Sequence, residues 1–179
     1  TRRSSDLRNI LHDWEYRANI GYMPQIGRYP ENMTIGQVLD MMKDIRQKQH
    51  ITFDEELIKA FDLEKILHKR MRTLSGGTRQ KVSASLAFLF NPAVLILDEP
   101  TAGLDPLSSE ILKEKITKER EKGKLVLITS HILSELDDMV SQVIYMQDGR
   151  CCFHKSIDEL RLETKQEKLA KAIASLLAK

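Results

Sequence analysis

The sequence of 179 residues has few cysteines, no long apolar run and no excess of charge of either sign. Its two cysteines, Cys151 and Cys152, are neighbours, which excludes a disulfide framework and fits a reducing compartment. The longest nearly apolar runs, Ala84–Phe90 and Ala93–Leu97, are far too short to cross a bilayer. The 28 basic and 26 acidic side chains leave a net charge of +2, which argues against nucleic acid as the default partner.

Glycine is absent before Gly21, and the sequence starts with Thr1 rather than with methionine. The first seven residues, Thr1–Leu7, are polar and have neither helical nor strand periodicity. One choice of codons for them spells the end of a common short-read sequencing adapter. We therefore expect this segment to be a processing remnant, with an ordinary N-terminal loop as the alternative.

The composition, 41% hydrophobic and 30% charged, is typical of a globular protein. Val94–Leu97 and Leu125–Ile128 are short apolar runs of the kind found in strands that are covered on both faces of a parallel sheet. Strands alternate with helices from residue 93 to 146, and Val143–Met146 is the predicted third strand. This alternation predicts an α/β fold, with the helix-rich stretch 34–90 inserted as a separate lobe.

Local signals set the other predicted elements. Tyr16–Tyr22 reads as a short strand, and Thr34 with Gln37 forms a capping-box pattern at the start of a helix. A helix is predicted from about Gly76 to Phe90, and a short one over Leu133–Met139. Other helix starts lie at Asp54, Asp105 and Ser156, and a hairpin turn lies at Asp148-Gly149.

The run Val94–Leu97 ends in two acidic residues, Asp98 and Glu99. Ligands of open α/β folds bind at the carboxyl edge of the sheet, where this strand ends. Successive residues of a strand point to opposite faces, so the two carboxylates can do different work. One can hold Mg²⁺, usually through water, and the other can polarise an attacking water. Acidic side chains turned to solvent are the alternative.

A second pattern is Ser75-Gly76-Gly77 at the start of a predicted helix. Ser75 is a good N-cap, and the glycines let backbone N–H groups approach an anion at the positive end of the helix. The pattern predicts a phosphate site, although similar turns occur in ordinary loops. Gln25 and His131 each follow a predicted strand, and taken alone each is more often structural or merely exposed.

Taken in order, Gln25, Leu74–Thr78, Leu97–Pro100, Ala102–Asp105 and His131 form a specific combination. It resembles the nucleotide-binding domain of ATP-binding-cassette (ABC) transporters over residues 16 to 155. The resemblance implies a P-loop NTPase (RecA-like) core with an inserted α-helical subdomain. It divides the chain into a core remnant over 8–25, a helical subdomain over 26–90 ending in the signature helix, core over 91–155 with Walker B, D-loop and H-loop, and C-terminal helices over 156–179.

The resemblance also implies residues that bind ATP. Gln25 is the Q-loop glutamine, which touches Mg²⁺ and water. Ser75, Gly76 and Gly77 form the signature turn, which binds the γ-phosphate of ATP held by the opposite protomer. Thr78 departs from the commoner Gln of the signature, but its side chain lies beyond the Ser-Gly-Gly turn, so we expect no loss of function from it.

Further roles are implied for residues in the second part of the core. Asp98 is the Walker B aspartate and a ligand of Mg²⁺, and Glu99 is the general base. Asp105 belongs to the D-loop and contributes to the ATP site at the dimer seam. His131 is the switch histidine, which reaches the γ-phosphate and acts in catalysis.

A Gly-rich loop of the form G-x-x-x-x-G-K-[ST], which the family uses to hold phosphates, is missing from these 179 residues. We therefore expect an incomplete core without its N-terminal strands and Walker A loop. Losing about four charge-assisted hydrogen bonds forfeits ~6 kcal/mol, or about four decades of affinity. The fragment alone is expected to be inactive.

The intact protein is expected to be the ATP-hydrolysing subunit of an ABC transporter, with ATP and Mg²⁺ as cofactors. Its expected partners are a second nucleotide-binding domain, arranged head to tail, and membrane permease subunits, at the cytoplasmic face of the cell membrane. A soluble ABC ATPase of translation or DNA repair and a non-catalytic regulatory protein are the alternatives. The sequences of the motifs are similar to those of exporter ATPases, either of the multidrug type or of the type that acts in copper and nitrous-oxide-reductase maturation.

Overall fold

The computed structural model describes residues 15–46, 52–137 and 139–177. The chain divides into two compact units, the first ending at Thr129 and the second beginning at Ser130. The predicted adapter remnant Thr1–Leu7 and the first part of segment 8–25 lie outside the described residues. The predicted boundaries at residues 25, 90 and 155 stay predictions.

The described residues of the first unit form three strands, four helices and short 3₁₀ segments. The 3₁₀ segments are Glu15–Asn19, Leu63–Ile66 and Met71–Thr73. The strands and helices are, in order, β1 (Ile20–Met23), α1 (Ile35–Ile45), α2 (Glu56–Ala60), α3 (Gly76–Phe88), β2 (Val94–Asp98), α4 (Pro106–Glu121) and β3 (Leu125–Thr129).

The three strands form one parallel sheet in the order β1-β2-β3, which confirms the predicted α/β architecture. Leu95 and Leu97 of the central strand are fully buried, and α3 packs so closely on β1 that a Cβ at Gly21 would lie 2.0 Å from the Ala87 carbonyl oxygen. The opposite face remains open, with Tyr22 57% and Leu127 49% exposed. The prediction that β3 is covered on both faces was therefore wrong, because an apolar run alone does not reveal how many faces are covered.

The segment predicted as the strand Tyr16–Tyr22 also differs in the structure. It begins as the 3₁₀ segment Glu15–Asn19, and only Ile20–Met23 is extended. The Arg46 guanidinium, which lies 4.5 Å from the centre of the Phe90 ring, donates a 2.7 Å hydrogen bond to the Ala18 carbonyl. That carbonyl is thus satisfied by a side chain, and sheet pairing starts only where β2 offers a partner to Ile20.

The helix starts agree well with the sequence signals. The Thr34 side chain accepts the Gln37 N–H while the Gln37 side chain accepts the Thr34 N–H, so the predicted capping box is present at α1. Helix α4 has Asp105 as its N-cap and Pro106 in its first turn, as predicted. These caps satisfy N–H groups that a helix leaves without internal partners.

A buried ion cluster joins α4 to the segment before α2. The ammonium of Lys115 contacts Asp54 at 2.5 Å, Glu56 at 2.7 Å and Glu119 at 3.0 Å. The side chain of Glu119 is fully buried and also pairs with Lys122 and Lys124. Because the two segments are far apart in sequence, this cluster fixes the helical region against α4.

The ion cluster predicts a loss of stability in acid that depends on Glu119. Burial alone would raise the pKa of Glu119, but hydrogen bonds from Lys122, Lys124 and Lys115 outweigh it and lower the pKa to about 2. A carboxyl with a depressed pKa stabilises the fold above its unfolded pKa, and this contribution disappears as the pH falls from about 4.5 toward 2. Urea unfolding of wild type and Glu119→Gln between pH 5 and pH 2.5 should show a flatter pH dependence in the variant; equal slopes would contradict this role.

The second unit contains a hairpin and two helices. Its elements are the 3₁₀ turn Leu133–Glu135, β4 (Gln142–Gln147), β5 (Arg150–Ser156), α5 (Ile157–Thr164) and α6 (Leu169–Leu177). Asp148 and Gly149 have φ of 49° and 73°, which confirms the predicted hairpin turn between β4 and β5. Ser156 and Glu159 form the predicted capping box of α5.

Two predictions for this unit were wrong. Val143–Met146 lies in β4, which pairs antiparallel with β5 in a separate two-stranded sheet rather than extending the parallel sheet. A helix was predicted over Leu133–Met139, but the residues of this range that the structure describes contain only the 3₁₀ turn Leu133–Glu135. A short apolar run does not tell which strand it will pair with, and the hairpin turn directly after β4 provides the nearer partner. Within the described ranges, no helix is long and apolar enough to span a membrane.

Candidate functional site

Polar side chains collect at the carboxyl edge of the parallel sheet. Met23 at the end of β1 pairs with Leu97, and Asp98 at the end of β2 pairs with Thr129 at the end of β3. Gln25 follows β1 by two residues and is exposed. The predicted residues Gln25 and Asp98 therefore lie at the same edge, where open α/β sheets bind their ligands.

Asp98 is held by a neighbour that the sequence reasoning missed. The Thr129 hydroxyl donates a hydrogen bond to Asp98 Oδ1 across the two parallel strands. Asp98 is half-buried, so this bond orients a carboxylate that still faces the sheet edge. The only signal in the sequence is that Thr129 follows the apolar run of β3 at the position corresponding to Asp98.

Glu99 leaves the strand through a left-handed backbone conformation. Its φ is 48°, its N–H donates to the Thr129 carbonyl at 3.1 Å, and its carbonyl accepts the Ala102 N–H at 3.1 Å. A non-glycine residue in this region costs about 1–3 kcal/mol, and such strain is found mainly at functional sites. The predicted alternation of Asp98 and Glu99 across one strand was wrong, because the chain turns at Glu99.

The start of α3 has the cap predicted from the sequence. Ser75 Oγ accepts the Thr78 N–H at 3.2 Å and lies 2.9 Å from the Thr78 hydroxyl. A Cβ at Gly76 would meet no atom within 4 Å, whereas a Cβ at Gly77 would lie 2.8 Å from the Gly103 carbonyl oxygen. Gly77 therefore permits close packing, and Gly76 leaves the positive end of the helix open to an approaching anion.

Asp105 has both carboxylate oxygens engaged within the protein. Oδ1 accepts the Ser108 N–H at 2.9 Å, and Oδ2 accepts the Ser108 hydroxyl at 2.7 Å and pairs with Lys81 at 2.8 Å. These contacts, with Lys81 the largest contributor, hold the pKa of Asp105 well below its usual range. Its contribution to an ATP site stays a prediction. Lys81 was missed by the sequence reasoning, although it follows Gly77 by one helical turn.

His131 lies at the start of the second unit. It is exposed and follows Ser130, whose Oγ accepts the Ile132 N–H at 3.0 Å. The role of His131 as the switch residue stays a prediction.

The donor set at the sheet edge fits Mg²⁺ that arrives with other ligands. Among the described residues, no three His, Cys, Asp or Glu side chains are grouped to hold a metal. Mg²⁺ commonly takes one or two carboxylates and fills its other positions with water and substrate phosphates. The Asp98 carboxylate and the Gln25 amide are suitable oxygen donors of that kind.

The loop after Gln25, Ile26–Met33, is connected to the segment that precedes α3. Met71 N–H donates to the Met33 carbonyl at 2.9 Å, and Arg72 N–H donates to the Glu31 carbonyl at 3.1 Å. Beside this loop is a cavity of about 460 Å³ with an apolar floor of Ala87, Phe90 and neighbouring residues. The basic and tyrosine side chains that line it are Arg17, Arg28, Arg46, Tyr16, Tyr22 and Tyr29.

The parallel sheet with its acidic carboxyl edge places the first unit in the class of open α/β domains, which bind their ligands at that edge. A family model described as ABC transporter matches residues 3–102, more than half of the chain. The chain belongs to this family. The assignment of Thr1–Leu7 to an adapter remnant stays a prediction.

Relatives include transport ATPases from bacteria and mammals. LptB, the lipopolysaccharide export system ATP-binding protein of Haemophilus influenzae, is 35% identical over 144 residues, which covers 78% of this chain and 59% of LptB. The phospholipid-transporting ATPase ABCA3 of Homo sapiens is 34% identical over 152 residues, 83% of this chain and 9% of ABCA3. The chain thus spans little more than half of LptB and about a tenth of ABCA3.

Solved structures share the fold. The structure of an ATP-binding subunit of an ABC transporter superposes with a TM-score of 0.82 at 26% identity, covering 91% of this chain and 70% of that one. The ATP-binding cassette MJ0796, in a dimeric post-hydrolysis state bound to ADP and Pi, superposes with a TM-score of 0.66 at 23% identity over 78% of this chain and 63% of that one. These similarities confirm the predicted fold class, an ABC-type RecA-like core.

Proposed function

We propose that the chain is part of a subunit that binds and hydrolyses ATP to drive an ABC transporter. The observation that carries this proposal is the carboxyl end of β2, where Asp98 is oriented by Thr129 and Glu99 occupies a strained turn. LptB and ABCA3 are both named for transport, which favours a transporter over a translation or repair ATPase. The multidrug-exporter or copper-maturation subtype stays a prediction.

In the intact protein, the three residues Glu99, Asp98 and Gln25 of the first unit have separate tasks. The Glu99 carboxylate accepts a proton from the water that attacks the γ-phosphate. Asp98 and Gln25 would hold Mg²⁺, which would supply positive charge to the phosphate oxygens. His131 donates a hydrogen bond to the γ-phosphate and makes its charge easier to stabilise in the transition state.

The start of α3 serves ATP held by a second copy. Its Gly76 faces open space, and its first N–H groups and helix dipole favour a phosphate oxygen. Two such domains arranged head to tail would each offer Ser75, Gly76 and Gly77 to the nucleotide of the other. MJ0796, which shares the fold, is described as a dimer in its state bound to ADP and Pi.

A membrane subunit docks on the helical region through the loop Ile26–Met33. The adjacent cavity is lined by Arg17 and Arg28 together with apolar residues such as Ala87 and Phe90, which suits a short amphipathic segment carrying an acidic residue. Because the loop is hydrogen-bonded to Met71 and Arg72, docking there would shift the segment leading to Ser75. This position requires the domain to lie at the cytoplasmic face of the membrane.

A mixing experiment with the full-length protein tests this proposal. A Cβ at Gly76 has open space around it, so Gly76→Asp should add a carboxylate that repels phosphate without disturbing the fold. Gly76→Asp and Glu99→Gln are each expected to be inactive alone. An equal mixture should recover activity up to about a quarter of wild-type ATP hydrolysis, since half of the dimers would contain one intact composite site out of two.

The control mixes Gly76→Asp with the double variant Gly76→Asp/Glu99→Gln. No pairing of these two chains yields an intact composite site, so no recovery is expected. Activity in this control, or none in the first mixture, would contradict the head-to-tail arrangement. Purified Gly76→Asp that hydrolyses ATP at the wild-type rate would contradict a phosphate-binding role for the start of α3.

A further inference from the structure

The start of α3 and the segment 99–105 are in direct contact within the first unit. The backbone of Gly77 lies so near the Gly103 carbonyl that a Cβ at Gly77 would come within 2.8 Å of its oxygen. Gly103 itself has a φ of 76°, a conformation in which other residues are strained. Both glycines are thus required for this close approach, and the two backbone segments pack without an intervening side chain.

Lys81 reinforces that contact one helical turn further along α3. Its ammonium pairs with Asp105 Oδ2 at 2.8 Å and lies 5.9 Å from the centre of the Phe61 ring. The Lys81 side chain is 21% exposed. Asp105 is half exposed, so the pair is shielded from water mainly on the Lys81 side and is only moderately stronger than one between fully exposed side chains.

Segment 99–105 is a series of turns that links Asp105 back to Glu99. The Ala102 N–H donates to the Glu99 carbonyl at 3.1 Å, and the Leu104 N–H donates to the Thr101 carbonyl at 3.1 Å. Asp105 is in turn fixed as the N-cap of α4 by Ser108. The segment therefore has hydrogen bonds along its length and an anchored end.

We propose that Lys81 is a positioning residue that holds the start of α3 and segment 99–105 together as one moving body. The inference rests on the proposed function, in which Gly76 and Gly77 bind the ATP of the opposite protomer and Glu99 acts on the ATP of its own. Lys81 would then link the two nucleotide sites of a dimer through a single protomer. Loss of the ion pair lets the two segments move separately.

Hydrogen exchange of the chain itself, without nucleotide, tests the mechanical part. Lys81→Met should raise the exchange rates of the Arg79 and Leu104 amides about twofold to fivefold, the range expected for losing one partly exposed ion pair. Lys81→Arg should restore the wild-type rates at both amides. The matched control is Lys43→Met, because Lys43 also pairs with a carboxylate, Glu55 at 2.7 Å, and lies over an aromatic ring, Phe53 at 4.9 Å.

Asp105→Asn provides the second half of a double-mutant cycle. Asn is also a good N-cap, so this variant removes the ion pair while α4 keeps its cap. If the pair is the link, Lys81→Met/Asp105→Asn should exchange no faster than either single variant. Additive increases, a rise at Arg79 without one at Leu104, or an equal rise in Lys43→Met would overturn the proposal.

Steady-state hydrolysis by the full-length protein tests the functional part. Lys81→Met should lower the Hill coefficient for ATP toward 1, and Lys81→Arg should restore it. An unchanged Hill coefficient would overturn the link between the sites even if the exchange results hold. The hydrogen-exchange experiment uses no nucleotide. If the protein proves not to hydrolyse ATP, that result would contradict the proposed function but not the positioning role of Lys81.

Discussion

Replacing Glu99 with Gln in the full-length protein is expected to lower ATP turnover about a hundredfold or more while ATP is still bound. Gln has nearly the same shape as Glu and can adopt the same left-handed backbone conformation, with φ at 48°. Its amide, however, does not accept a proton from the attacking water. The ATP-bound dimer should therefore accumulate. Phosphate release measures the turnover, and gel filtration with Mg-ATP measures the dimer.

The matched control for Glu99→Gln is Asp62→Asn. Asp62 is another acidic residue with a left-handed backbone, at φ 55°, but it pairs with exposed Lys65 away from the sheet edge. This variant should turn over ATP at the wild-type rate. Wild-type turnover by Glu99→Gln would remove Glu99 from the role of general base, and loss of the ATP-bound dimer would indicate that Glu99 acts in binding instead.

Replacing Lys115 with Met is expected to lower the free energy of unfolding by about 3 kcal/mol. Burial favours the neutral amine and would lower the pKa of Lys115, yet hydrogen bonds to Asp54, Glu56 and Glu119 outweigh it and raise the pKa above its usual range. The Lys115 side chain is only 2% exposed, so Met can occupy its space but leaves three carboxylates without their shared cation. We place the cost at the low end of the range for broken buried pairs, because Asp54 and Glu56 retain access to water.

Urea unfolding of Lys115→Met beside Lys65→Met provides the comparison. Lys65 and Asp62 form an exposed pair, with side chains 73% and 69% exposed, so its loss should cost less than about 0.5 kcal/mol. An equal loss of unfolding free energy in the two variants would show that burial does not strengthen the contribution of the Lys115 cluster to stability. A loss of unfolding free energy below about 1 kcal/mol for Lys115→Met would indicate that water hydrates the three carboxylates in place of the lost ammonium.

Local patterns predicted much of the fold and the candidate site. The acidic pair after β2 and the Ser-Gly-Gly start of α3 could be located because a cap or an apolar run depends on residues close together in sequence. Thr129 and Lys81 escaped prediction because their partners, Asp98 and Asp105, meet them only through strand register and helix packing. The assignment of Val143–Met146 to the parallel sheet failed for a similar reason, since apolar content does not specify the partner strand.

The register of the parallel sheet also has a consequence for the order of folding. Ile20 of β1 pairs with Val94 of β2, so roughly 70 residues must be made after Ile20 before this partner exists. At synthesis rates of about 5–20 residues per second, β1 would wait roughly 4–14 s on the ribosome for β2. Helices α1 to α3 can form within that interval, and α3 supplies the surface against which Gly21 packs. The helical region is thus placed to act as the template on which the sheet is assembled during translation.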